Sequence, residues 1–215
     1  MDLQSIGFRT DLIFPAFEGA IIDRGHYLVI KTPANPSFYF GNFLLFDSAP
    51  AEGDLSRWQD LFAKEIGRPG QLKHLAFGWD TGKNEAGLIQ PFLDHGYLLD
   101  ISVVLTATRD ELNPKSSPDI TLRQLHSDDD WQQSVENQVF SRESIFSEDG
   151  YRTFRQGQAD RYRKMTSTGL GAWFGAFDGE RLVGDLGIFV TEELGRYQSV
   201  QTHPDFRRRG IAGAL

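Results

Sequence analysis

The stretch Arg196-Tyr-Gln-Ser-Val-Gln-Thr-His-Pro-Asp-Phe-Arg-Arg-Arg-Gly-Ile-Ala-Gly-Ala-Leu215 decides how the whole chain is read. Tyr197–Thr202 has the composition of a strand, His203-Pro204-Asp205 of a turn, and the small apolar residues after Gly210 suit the first turn of a helix. Arg207, Arg208 and Arg209 supply charge-assisted donors for phosphate oxygens. Free backbone N–H groups at a helix start favour an anion in the same place. Gly210 lets the backbone come close to such an anion, and Ala212 keeps the next turn slim. Three adjacent arginines usually form a solvated run. A solvated run has no use for Gly210 and Ala212, so the stretch reads as a strand–loop–helix unit built for an anion.

Arg207-Arg208-Arg209-Gly210-Ile211-Ala212 fits the pattern (Gln/Arg)-x-x-Gly-x-(Gly/Ala) and resembles the signature of the GNAT superfamily of acetyl-CoA-dependent N-acyltransferases. Val200-Gln201-Thr202-His203-Pro204-Asp205-Phe206 is similar to that family's fourth strand and the turn after it. The resemblance implies an α/β fold with a mixed sheet and acetyl-CoA as co-substrate, without a metal. It also implies that Arg207, Arg208, Arg209, Gly210, Ile211 and Ala212 hold the pyrophosphate of coenzyme A, while the backbone of Val200, Gln201 and Thr202 pairs with the pantetheine arm. The implied activity is transfer of an acetyl group to a small-molecule or N-terminal amine. The alternative is a non-catalytic acyl-CoA-binding or interaction module.

Composition narrows the remaining classes. The 215 residues carry a formal charge of −8, which argues against nucleic-acid partners and against an anionic membrane surface. No cysteine is present, so disulfides, thiol catalysis and thiolate metal sites are excluded, in keeping with a cytoplasmic protein. The five histidines (His26, His74, His95, His126 and His203) are isolated from one another and lack the spacing of a metal site.

Taken in order, residues 20–106 read as an α/β unit. Strands are expected at Tyr27–Ile30, Phe38–Phe46, His74–Gly78 and Tyr97–Leu105, with a helix carrying Trp58, Leu61, Phe62 and Ile66 and another over Leu88–His95, kinked near Pro91. That order matches the second half of a GNAT fold, so residues 1–112 read as a degenerate GNAT-like domain. Its loop Asp47–Asp54 is acidic and repels a pyrophosphate. Residues 113–118 form the expected linker, and residues 119–215 the GNAT-like domain that carries the acetyl-CoA loop. Within it Ile120–Leu125 is a strand and Ser127 caps a helix striped by Trp131, Val135 and Val139. A helix from about Ser147 turns Tyr151, Phe154, Tyr162 and Met165 inward and leaves Arg152, Arg155, Arg161 and Arg163 as a solvated basic face. Ala172–Phe177 and Arg181–Val190 form a hairpin on Asp178-Gly179. The second domain is thus expected to be incomplete, cut off at the start of the helix after the loop. Its terminal Ile211–Leu215 should then be exposed, and its open strand edge should favour a homo-oligomer.

No catalytic residue is assigned from sequence. Glu143, between the first two helices, and Glu192 and Glu193, just before the cofactor strand, read as surface charges. Arg196 stands where many members of the resembled family carry a strand glutamate.

Overall fold

The computed structural model describes residues 1–36, 38–67, 74–83, 85–113, 119–191 and 193–215. The expected linker, apart from residue 113, and the candidate Glu192 lie outside these residues. The chain divides into two compact units, Met1–Leu105 and Thr106–Leu215.

The first unit opens with two short helices not expected from the sequence, α1 (Ile6–Asp11) and α2 (Ile13–Glu18). Strands β1 (Ala20–Asp23), β2 (Tyr27–Lys31) and β3 (Phe43–Phe46) pair antiparallel. Helix α3 (Asp54–Glu65) then crosses over to β4 (Phe77–Trp79), which pairs parallel with β3. Alternate residues of β2 and β3 are buried on opposite faces of the sheet. Val29, Leu44 and Phe46 pack with Trp58, Phe62 and Phe92, whereas Leu28, Ile30, Phe43 and Leu45 pack with Leu12. Burial on both faces explains why these strands read as unbroken apolar runs.

Four expectations for this unit change, the strand expected over His74–Gly78 lying instead at Phe77–Trp79. Phe38–Asn42 is not strand, and Tyr39–Gly41 is instead a 3-10 turn. The Asn42 side chain pins it by accepting from Thr32 N and donating to the carbonyls of Asn35 and Phe38, each at 3.0 Å. Pro91 does not kink a helix but sits in the first turn of α4 (Gln90–Asp94), where its missing N–H costs nothing. Tyr97–Leu105 forms no strand, and Leu98, Val103 and Leu105 stay more than 80% exposed. An apolar run becomes a strand only when a neighbour pairs with it, and the sheet of this unit ends at β4.

The second unit is a four-stranded antiparallel sheet of β5 (Thr121–Gln124), β6 (Gly171–Asp178), β7 (Arg181–Val190) and β8 (Gly195–Thr202), in that order. Helices α5 (Asp128–Phe140) and α6 (Glu148–Ser167) lie between β5 and β6 in the chain. Trp131, Val135 and Val139 of α5 are buried as expected, with Tyr162 and Met165 of α6. Trp173 of β6 stacks on Tyr162, with ring centroids 4.7 Å apart, and covers Gly187 of β7, where a Cβ would lie 2.5 Å from the indole. The basic face of α6 is not uniformly solvated: Arg161 is buried, and the Arg155 guanidinium lies over the Tyr151 and Phe154 rings. Helix α7 (Ile211–Ala214) packs Ile211 into a cluster with Ala176, Val183 and Phe206, and Leu215 leans on the same cluster. The expected exposure of these terminal apolar side chains is therefore corrected.

The start of α5 is the best-anchored point of this unit. Ser127 Oγ accepts from Asp130 N at 3.0 Å. Asp130 in return accepts from the N–H groups of His126 and Ser127 and from both Arg123 terminal nitrogens at 2.7 Å. The Arg123 guanidinium holds the Asp130 carboxyl well below the usual carboxylate range, with the backbone donors adding to the effect. A depressed pKa means that this contribution is complete above the unfolded value of about 3.9 and is lost as pH falls below it. Asp130→Ala removes the carboxylate half of this reciprocal cap and the ion pair together and should cost about 2–4 kcal/mol in urea denaturation at pH 7. The wild-type advantage should shrink when the same comparison is made near pH 2.

Candidate functional site

Strand β8 carries the first part of the site. It runs antiparallel to β7, with Asp185 opposite Gln201 and Gly187 opposite Gln198. One residue of β7, Leu186, therefore faces two of β8, Ser199 and Val200. This mismatch is a β-bulge, which leaves a residue out of the ladder and re-aims the local backbone. Ser199 sits at φ 49°, left-handed backbone that a non-glycine residue rarely adopts. Gln138 Nε2 reaches the Ser199 carbonyl at 3.5 Å, and Gln198 Nε2 donates to the Tyr162 hydroxyl at 2.9 Å. The bulge is thus braced from α5 and α6. Val200 is half exposed on the strand, and Thr202 lies opposite Gly184.

The second part is the loop after β8. His203 is buried, donates its N–H to Val183 O at 2.8 Å and stacks on Phe140 at 4.8 Å. This holds the end of the strand against α5, followed by a 3-10 turn over Pro204–Phe206. Arg207 Nε donates to Thr202 O at 3.2 Å. Arg208 has φ 63° and Gly210 φ 82°, so two positive-φ residues fold the loop tightly. Arg209 lies 5.1 Å from the Phe206 ring centroid. Arg181 of β7 lies 5.2 Å from the same centroid, a cation that sequence spacing missed because only strand pairing brings it here. Among the described residues none of these four arginines pairs with a carboxylate, on a chain whose formal charge is −8. An added Cβ at Gly210 would meet open space, so positive φ and access, not packing, are what this glycine provides. Ile211 turns its side chain into the core, and of this residue the loop has only the backbone. Ala212 is exposed at the start of a single helical turn, too short to add much dipole.

A third group lies beneath the bulge. Trp131, Ser134, Gln138, Tyr162, Trp173 and Ser199 help line a cavity of about 20 Å³, room for about one water. Beside it Asp185 is fully buried, and its Oδ2 accepts from Ser134 Oγ at 2.5 Å and Trp173 Nε1 at 2.9 Å. Burial pushes the Asp185 carboxyl up to about 6, against the lowering pull of these two donors and the Arg155 charge. Its Oδ1 has no hydrogen-bond partner among the described residues. The signal for Asp185 was present in the sequence, a lone acid inside the apolar run Leu182–Val190. Of the carboxylates considered from sequence, Glu143 and Glu193 are exposed. A wider groove of about 330 Å³ runs between α5 and His203, but its Glu136 and Glu148 are ion-paired to Arg142 and Arg152. No group of three or more potential metal ligands occurs among the described residues.

No protein-family model matches the chain, and no curated protein matches it by sequence. Solved structures do match. A conserved protein of unknown function from Staphylococcus epidermidis superposes with a TM-score of 0.64 at 12% identity, covering 92% of this chain and 77% of that one. A GCN5-related N-acetyltransferase from Kribbella flavida superposes with a TM-score of 0.62 at 11% identity, covering 98% of this chain and 78% of that one. The chain is therefore a mixed α/β protein with the fold of the GNAT N-acetyltransferases.

Proposed function

We infer that the chain binds acetyl-CoA along β8 and transfers the acetyl group to an amine. The observation that carries this reading is the coincidence, on one strand, of a bulge at Ser199–Val200 and an arginine loop at its end. Acyl transfer from a thioester needs the carbonyl held and polarised, and backbone N–H groups do both where a strand leaves its ladder. Arg207–Gly210 lies one strand-end away, where unpaired guanidinium groups and an accessible backbone suit a pyrophosphate. The acceptor is a small-molecule or N-terminal amine, and the setting is cytoplasmic. A non-catalytic acyl-CoA-binding module is the second reading, favoured because β8 itself, Gly195–Thr202, carries no carboxylate.

The first unit repeats the order of strand, loop and helix without the chemistry. Gly53 before α3 has φ 82°, as Gly210 has before α7. In the first unit, however, the protein's own Asp54 carboxylate accepts the Ala51 N–H at 2.9 Å and pairs with Arg57. The anion is already supplied, so this unit is read as a degenerate half without a cofactor site.

Two outcomes check the reading. Arg207→Ala and Arg209→Ala should each weaken acetyl-CoA binding in calorimetry by about 1.5–3 kcal/mol, while a pantetheine lacking phosphates loses almost nothing. Equal losses for both ligands contradict the placement. Titration of the intact chain should saturate at one equivalent of acetyl-CoA, and two equivalents would mean that the acidic loop does bind cofactor.

A further inference from the structure

Resting on the acetyl-transfer reading, the cluster beneath the bulge takes on a specific task. We propose that Ser134 and Asp185 form a proton relay serving the acceptor amine, with Ser134 handing the proton on and Asp185 receiving it. Each part of the relay is in place. Ser134 Oγ lies 2.5 Å from Asp185 Oδ2, and the serine also lines the cavity whose wall includes Ser199 of the bulge. Trp173 Nε1 fixes the same carboxylate oxygen, which keeps the carboxyl group from rotating away from Ser134. Asp185 Oδ1 and Arg155 Nε are buried with no hydrogen-bond partner among the described residues; Arg155 lines the chamber of one-water size, and Asp185 is bonded to Ser134 and Trp173, which line it too. A buried carboxylate held on one oxygen only is a costly arrangement for structure alone.

The proton balance fits one such acceptor. An ammonium that becomes an N-acetyl amide loses two protons. As the nitrogen–carbonyl bond forms, the carbon–sulfur bond breaks and its electron pair leaves on sulfur. One proton neutralises that thiolate to give the free thiol of coenzyme A. The other must leave the nitrogen before or during attack. In the relay it passes to the serine hydroxyl, directly or through the water-sized space, while the hydroxyl gives its own proton to Asp185 Oδ2. Asp185 returns it by the same path, through the Ser134 hydroxyl and the water-sized space, before the next cycle. The ionisable groups facing the cluster are Arg155 and Tyr162, both of α6, with the Arg161 charge acting on Tyr162. Ser134 of α5, Trp173 of β6 and Gln201 of β8 are neutral. Burial places the Asp185 carboxyl at about 6, so it is ionised and able to accept at neutral pH.

The same shift predicts that Asp185→Asn folds. A carboxyl whose pKa is raised on folding contributes stability below its unfolded value of about 3.9 and loses it as pH rises through about 6. At pH 8 the neutral isostere should melt no lower than wild type, while its carbonyl oxygen still accepts from Ser134 and Trp173.

The test compares wild type, Asp185→Asn and Ser134→Ala for acetyl-CoA affinity by calorimetry and for thiol release across pH 5–9. A primary diamine and a short peptide with a free N-terminus serve as acceptors. Both variants should bind acetyl-CoA as wild type does. Wild-type kcat/KM should climb through an acid limb near pH 6, and Asp185→Asn should lose that limb and fall about 100-fold at pH 8. Ser134→Ala should lower kcat without raising KM for acetyl-CoA. An unchanged limb and rate in Asp185→Asn overturns the relay and leaves the cofactor site standing. Wild type that binds acetyl-CoA but turns over neither amine also overturns the relay, whereas wild type that does not bind acetyl-CoA overturns the underlying reading with it. If Asp185→Asn fails to fold, Ser134→Ala decides, and an unchanged kcat there counts against the proposal.

Discussion

The pairing of β7 with β8 is the constraint on which the second unit turns. The two strands share a ladder from Gly195 to Thr202, and the ladder is broken once, where Leu186 faces both Ser199 and Val200. On one side of the break the strand continues to His203, Phe206 and the arginine loop. On the other it carries Gln198 to Tyr162. Strain at Ser199 persists because neighbours hold it, with α5 and α6 bracing the backbone and Trp173 seated on Gly187 beside it. Without the bulge, β8 would be an ordinary edge strand followed by a basic turn.

Electrostatics separates the two units more sharply than topology does. Both place a positive-φ glycine between a strand and a helix. In the first unit Asp54 fills the turn with an internal anion. In the second Arg207, Arg208, Arg209 and Arg181 leave cations without carboxylate partners among the described residues. On an acidic chain such a local excess of positive charge favours an external anion, and two of the four groups, Arg181 and Arg209, lie over a single ring, Phe206.

Much of the second unit was legible in the sequence because its signals are local. The Ser127 cap, the Trp131–Val135–Val139 stripe and the β6–β7 hairpin, whose turn falls at Gly179-Glu180 and not at the expected Asp178-Gly179, depend on neighbours a few residues away. The strand and loop from Tyr197 to Gly210 were legible for the same reason. What escaped depends on partners far along the chain. The bulge is a property of two strands in register, and nothing about Ser199 alone marks it. Arg181 joins the loop through strand pairing, and Arg161 is buried although its helical face is basic. Tyr97–Leu105 shows the converse: its composition is that of a strand, but a strand also needs a neighbour with which to pair.

The central claim, that the bulge and the arginine loop are one acyl-CoA site, is tested most directly by amide NMR of the intact chain titrated with acetyl-CoA. The account predicts that the largest shift changes fall on the backbone N–H groups of Val200 and of Arg208 to Gly210, with Ala51 to Asp54 unmoved. Saturable changes centred on Ala51 to Asp54, or none at Val200, would contradict it.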